Sequence, residues 1–224
     1  MNKKRIAKIV EAGLCSKTGI IGNGILYDLC KKYFCHKNPD AINAKIWLIG
    51  RAYAAAIERR KKYRNYPNDD FYKKRVVPIM MKSEIDQKLS AICKYRSVTE
   101  NNILDILKVH KYLVDTFEKI SGFKKRSLSS KYLHFHLRQL FFIYDSRSNS
   151  ALKIISNNPV KEFDSIINNS GVDKEYAKFF CRSYKKISDL KKQLKRNIDT
   201  RQFDNILIMI ANEKLRGSKK ISIK

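Results

Sequence analysis

The sequence predicts an all-α fold. Only 8 Gly and 4 Pro punctuate 224 residues. Period-two alternation is scarce, while apolar residues recur at the three- and four-residue spacing of a helix face. With 43% apolar and 11% aromatic residues, the chain has the material for a sizeable core. The expectation is a single all-α domain over 1–224, divisible into two lobes of about 1–97 and 98–224 that meet at a cleft.

Each element has its own warrant. Residues 3–13 and 19–35 read as two helices, split at Ser16-Lys17-Thr18-Gly19. Asn38-Pro39-Asp40 opens a third, expected to reach about Tyr63, because Ile42, Ile46, Ile49, Tyr53, Ala56 and Ile57 form one apolar stripe. Gly50, Ala52, Ala54, Ala55 and Ala56 predict that another helix approaches it closely, with Arg51 and Glu58 two turns apart along it. Residues 64–70, with Pro67, read as a loop, and Pro78 as a break or kink before a helix over 80–95. Ser97-Val98-Thr99-Glu100 has the spacing of a capping box. The helix it opens carries Ile103, Ile106, Leu107, His110, Leu113, Phe117 and Ile120 on one face, and Gly122 ends it.

A basic turn over 123–128 leads to a helix over 129–139, and Asp145 is placed to cap the next one. Residues 159–168 read as helical, and 173–195 as a long helix with a basic second half. Thr200 is the expected cap of the last helix, whose run Ile206-Leu207-Ile208-Met209-Ile210 is apolar all round and so predicted to be buried. The basic tail from Arg216 is expected to fray.

The formal net charge is +27, from 48 Lys+Arg against 21 Asp+Glu. Such an excess repels itself and attracts polyanions, and nucleic acid offsets the repulsion through counterion release. The apolar content excludes a disordered polycation. Five cysteines at irregular spacing (Cys15, Cys30, Cys35, Cys93 and Cys181) argue against a secreted disulfide scaffold. Cys30, Cys35 and His36 resemble half of a metal site without a second half, so neither metal nor organic cofactor is expected. The apolar run after the basic N-terminus is short and interrupted by Glu11 and Lys17, which predicts no secretory leader. No uncharged stretch reaches membrane-spanning length. A reduced, cytoplasmic, monomeric protein is the expectation.

Lys131 and Asp145 are the best candidates for chemistry. The lysine lies in a mostly apolar helical run, and the aspartate follows Phe141-Phe142-Ile143-Tyr144. An amine and a carboxylate in apolar surroundings are costly to bury unless they serve each other.

Segment 127–148 resembles the active-site region of helix-hairpin-helix DNA glycosylases, most closely the 8-oxoguanine glycosylase branch. There a lysine opens a helix, apolar residues follow, and a loop ends in a hydrophobic-x-Asp that caps the next helix. Ser130-Lys131 and Phe142-Ile143-Tyr144-Asp145 match those positions. The resemblance implies a helix-hairpin-helix arrangement with a basic cleft, double-stranded DNA with its target base flipped out, and excision of a damaged base with strand-nicking lyase activity. It implies that Lys131 is the nucleophile and Asp145 its electrostatic partner.

Phe142, Tyr144, His134, Arg51, Tyr53 and Glu58 are the candidates for the base pocket. Lys124, Lys125, Arg126 and Arg147 are those for DNA phosphates. The hairpin departs from the family's pattern. Ile120-Ser121-Gly122-Phe123-Lys124 lacks the proline and second glycine, so side-chain charge must take over phosphate contact from backbone amides. Two other readings compete. One is a nucleic-acid binder without glycosylase activity or a small all-α RNase using Arg138 with His134 and His136, or Arg51 with Glu58. The other is a module that binds acidic proteins.

Overall fold

In the computed structural model, residues 3–16, 19–156 and 159–221 are described; Lys17 and Thr18 of the expected break at Ser16-Lys17-Thr18-Gly19 lie outside them. The described residues are all-α, without a strand. The helices are α1 (Lys3–Leu14), α2 (Ile20–Lys32), α3 (Pro39–Ala52), α4 (Asn68–Phe71), α5 (Val77–Met81), α6 (Ile85–Ile92), α7 (Ile103–Ser121), α8 (Arg126–His136), α9 (Ser146–Ile155), α10 (Asp164–Ile167), α11 (Lys174–Leu194) and α12 (Thr200–Ile221). No helix among the described residues is long and apolar enough to cross a membrane.

One continuous cluster of buried apolar side chains runs from Ile9 to Ala211. α8 lies at its centre, packed by α2, α3 and α7, and Leu128 to Phe135 are all buried along it. α12 packs along α1 on one side and α9 on the other. At that first contact Gly13 meets Ile206, where an added Cβ would stand 2.8 Å from the Ile206 Cα. Only a glycine lets these two backbones approach so closely.

Several boundaries differ from the sequence expectation. The helix opened by Asn38 does not reach Tyr63 but stops at Ala52. Ala54 adopts a left-handed backbone (φ 50), and the Ala55 N–H returns to the Gly50 carbonyl at 2.7 Å. This is a helix-ending turn that normally carries glycine at the left-handed position; an alanine there hides it from sequence. The small side chains admit the chain's own return rather than another helix, since a Cβ on Gly50 would meet the Ala56 Cα at 3.0 Å. Gly122 does end α7, in the left-handed conformation.

The helix expected over 80–95 forms only over Ile85–Ile92, as α6, and no helix end falls at Pro78. It sits in the first turn of α5, continuous with a π-helical turn over Tyr72–Val76 whose widened bonding reaches from the Val77 N–H to the Tyr72 carbonyl. Capping moves by one or two residues at two helices. Thr99, not Ser97, precedes the 3-10 turn into α7, and its N–H donates to Asn102 Oδ1 at 2.9 Å. Asp199, not Thr200, caps α12 by accepting from the Gln202 N–H at 2.7 Å. The Thr200 hydroxyl donates instead to the Arg138 carbonyl. α8 begins and ends three residues earlier than expected. Residues 159–168 shrink to a 3-10 turn over Lys161–Phe163 and the short α10. In α12, Ile206, Leu207 and Ile210 are buried while Ile208 and Met209 are half-buried, and the helix continues to Ile221 past the point where fraying was expected.

Candidate active site

Lys131 lies on the second turn of α8 and is 1% exposed. Its Nζ donates to Ser127 Oγ at 2.6 Å, one turn back, and to Asp145 Oδ2 at 3.2 Å. The Tyr144 carbonyl is a longer contact at 3.4 Å. Asp145 caps α9 as expected: its Oδ1 accepts from the Ser148 N–H at 2.9 Å while the Ser148 hydroxyl accepts from the Asp145 N–H at 2.9 Å. The carboxylate side chain is 36% exposed, so the pair opens to solvent on the aspartate side.

The segment between α8 and α9 is held at three points. His134 Nδ1 donates to the Phe141 carbonyl at 2.8 Å. The Tyr176 hydroxyl, from α11, donates to the Phe142 carbonyl at 2.9 Å. The Tyr144 N–H donates to Ser130 Oγ at 3.0 Å. These bonds fix the register that brings Asp145 beside an amine fourteen residues earlier.

Burial of the Lys131 amine pushes its pKa below that of an ordinary lysine, against the opposing pull of the Asp145 charge. Burial acts to raise the Asp145 carboxyl, but the Lys131 charge and the hydrogen bonds from Ser148 outweigh it and hold the group below the usual carboxylate range. An ionised acid thus faces an amine that loses its proton more readily than usual.

Of the residues expected around this pair, Tyr53 is brought to it. Its ring centroid is 5.9 Å from Lys131 Nζ, because the early stop of α3 leaves Tyr53 at the helix end. Tyr144 contributes its carbonyl to Lys131, while its ring packs edge-on against Phe179 and Tyr176.

The other pocket candidates lie elsewhere. His134 is fully buried, with Nε2 accepting from the Tyr27 hydroxyl at 2.7 Å. Phe142 packs against Phe180 and Phe203 in the core. Arg51 and Glu58 pair with each other at 2.5 Å, the arginine over the Trp47 ring and the glutamate accepting from the Tyr72 hydroxyl at 2.7 Å. They meet because the chain turns back after α3, not because they share a helix.

Beside the pair, a hollow of about 420 Å³ is lined by Arg59, Arg60, Lys124, Lys125 and Arg126 together with Ser127 and Tyr144. Lys125 and Arg126 have structural work as well. The first donates to the Arg59 carbonyl at 2.6 Å, and the second grips Asp173, the cap of α11, at 2.6 and 2.7 Å. Arg147 is exposed on α9 and bonds Asn212, away from this hollow.

Four participants escaped sequence reasoning. Ser127, one turn before Lys131, holds the amine. Asn23 accepts from the Tyr53 hydroxyl at 2.6 Å. Arg201 donates to that hydroxyl at 3.3 Å and to Asp204 Oδ2 at 2.6 Å. Asp204 is 3% exposed. The signal available for the last two is an arginine and an aspartate three apart at the start of a helix that is otherwise apolar on that side. No family model, curated protein or solved structure matches the chain. Among the described residues no group of histidine, cysteine and carboxylate side chains is placed to hold a metal ion.

Proposed function

We propose that this protein is a DNA glycosylase with lyase activity that excises a damaged base, of the 8-oxoguanine kind, through a Schiff base on Lys131. The observation that carries the reading is the buried Lys131 amine, 3.2 Å from a carboxylate that is itself fixed as a helix cap.

The proposed chemistry draws on that geometry. Lys131, as the free amine, attacks the sugar C1′ carbon, and the C1′–N bond breaks with its electron pair leaving on the base, which takes up a proton. Loss of a proton from the attached nitrogen and opening of the ring give the protonated Schiff base. Removal of a C2′ proton then expels the 3′ phosphate by β-elimination. Asp145, held ionised by the α9 N-terminus and the hydrogen bonds from Ser148, stabilises the positive charge that builds on the sugar. Tyr53 offers an aromatic face at the amine, as a flipped base requires. Arg59, Arg60 and Lys124 on the neighbouring hollow supply charge for the phosphate backbone.

The RNase alternative rests on His134 and His136, or on Arg51 with Glu58, as its working groups. His134 is fully buried and His136 half-buried, each bonded to a backbone carbonyl, and burial pushes the His134 pKa down to about 3.

Borohydride trapping on duplex DNA carrying 8-oxoguanine or an abasic site tests the reading. Wild type is expected to form a covalent adduct, and Lys131→Gln to form none while still binding DNA. A wild type that binds such DNA normally and leaves no adduct overturns the lysine chemistry.

A further inference from the structure

We propose that Asp204 is a positioning residue of this site, a second carboxylate that acts on the Lys131 amine through its charge and, through Arg201, on the Tyr53 ring above it. The inference goes beyond the Lys131–Asp145 pair, and only its kinetic arm rests on the glycosylase reading.

The geometry runs through three elements. α12 packs along α9, whose cap is Asp145. In the first turn of α12, Arg201 joins two partners: Asp204 Oδ2 at 2.6 Å on its own helix, and the Tyr53 hydroxyl at 3.3 Å at the end of α3. Tyr53 in turn donates to Asn23 of α2. The tyrosine ring over the amine is therefore fixed from both sides.

A buried carboxylate is unusual enough to need a reason. The structural one is the ion pair with Arg201. Yet that pair leaves the Asp204 carboxyl raised to about 6, chiefly by burial and also by the nearby Asp145 charge, while Arg201 and Lys131 act to lower it. An acid kept in place at that cost, coupled to both members of the candidate catalytic pair, points to a task at the amine.

Lys131 Nζ meets Asp145 at 3.2 Å and the Tyr53 ring at 5.9 Å. Asp204 accepts from Arg201 at 2.6 Å, and the charges of Asp145 and Lys131 also act on it. α1, on the other side of α12, sets Arg5 against Glu213, more than two turns further along. Each carboxylate stabilises the ammonium form. Removing the charge at 204 therefore lowers the pH at which Lys131 loses its proton.

The experiment follows the Lys131 Nζ resonance through a pH titration of the full chain, without DNA, in wild type and Asp204→Asn. The midpoint is expected to fall in the variant, because one of the two carboxylates that stabilise the ammonium form has lost its charge. Where the amide does not fold, Asp204→Ser removes the same charge in a smaller side chain. The kinetic arm is the pH dependence of borohydride trapping. Its acid limb should move down by the same amount, whereas a merely structural change lowers the amplitude and leaves the limb in place. An unmoved midpoint together with an unmoved limb overturns the proposal. Absence of trapping in wild type overturns the lyase reading instead, while the amine titration still decides the role of Asp204.

Discussion

At Lys131, function and stability pull in opposite directions. A buried ammonium whose direct carboxylate partner is partly exposed carries a desolvation cost that can exceed the gain from its ion pair. Lys131→Met, apolar and of similar length, is expected to keep stability or raise it by about 1–4 kcal/mol while abolishing the adduct; thermal melting beside trapping checks both. Asp145→Ala removes the α9 cap, worth about 1 kcal/mol, and leaves the buried amine without its carboxylate. It is expected to cost at least about 2 kcal/mol in a denaturant titration. A stability gain in Lys131→Met and a loss in Asp145→Ala are the signature of an amine retained for chemistry and an acid that serves both. If Lys131→Met instead melts well below wild type, the lysine is there for the fold.

The elements matter because they carry the site from three sides. α8 presents Lys131, the start of α9 presents Asp145, and the ends of α3 and α12 hold Tyr53 through Arg201. The pose of α12 depends on its contact with α1 at Gly13, where a new Cβ would lie 2.7 Å from Ile206 Cγ1 and 2.8 Å from the Ile206 Cα. The flexible side chain can yield but the backbone cannot, so Gly13→Ala forces the helices apart. It is expected to lower Tm by about 2–6 °C, corresponding to about 1–2 kcal/mol of overpacking. The same variant should loosen Tyr53, read as faster exchange of its ring environment by NMR. A melting temperature equal to wild type would mean that the α1–α12 contact adapts freely and does not set the position of Arg201.

Over the whole molecule, charge and burial set the response to pH and salt. Burial depresses the histidines: His36 to about 4, His110 to about 3, His134 to about 3, and His136 well below its ordinary value. Each is neutral in the fold and takes up a proton on unfolding. The unfolded chain therefore binds more protons below pH 6.5, so this contribution is complete above 6.5 and is lost as pH falls toward the folded values. The four histidines act in this direction, while Asp204, its carboxyl raised to about 6, opposes them by holding its proton in the fold. The protein is expected to lose stability in mild acid. A flat stability profile from pH 6.5 to 4.5 would contradict the neutral buried histidines. For nucleic acid, the triple variant Arg59→Ser, Arg60→Asn, Lys124→Ser should lower the slope of log K against log salt by about 3, near one unit per phosphate contact. Asparagine suits residue 60, where the backbone is left-handed (φ 60). An unchanged slope would move the phosphate contacts off this hollow.

Much of this was legible in the chain because it depends on neighbours in sequence. Period alone places most of the helices, Gly122 ends α7 because a left-handed cap suits glycine, and Asp145 reads as a cap because its partner, Ser148, is three residues on. The Lys131–Asp145 pair was legible for the same reason, as two costly groups set in apolar runs. What escaped was decided by contacts between distant segments. Ala54 ends α3 in a conformation its side chain does not advertise, so the reversal that carries Tyr53 toward the amine is invisible in sequence. His134, expected at a pocket, is spent on the Phe141 carbonyl, and Asp204 gains its meaning only where α12 lies against α9. Local patterns record backbone preferences, the apolar face of each helix and polar groups set in nearby apolar runs; they do not say which polar groups of distant segments find each other. That choice comes from the packing of whole helices, where desolvation makes every unpaired group expensive and each partner specific.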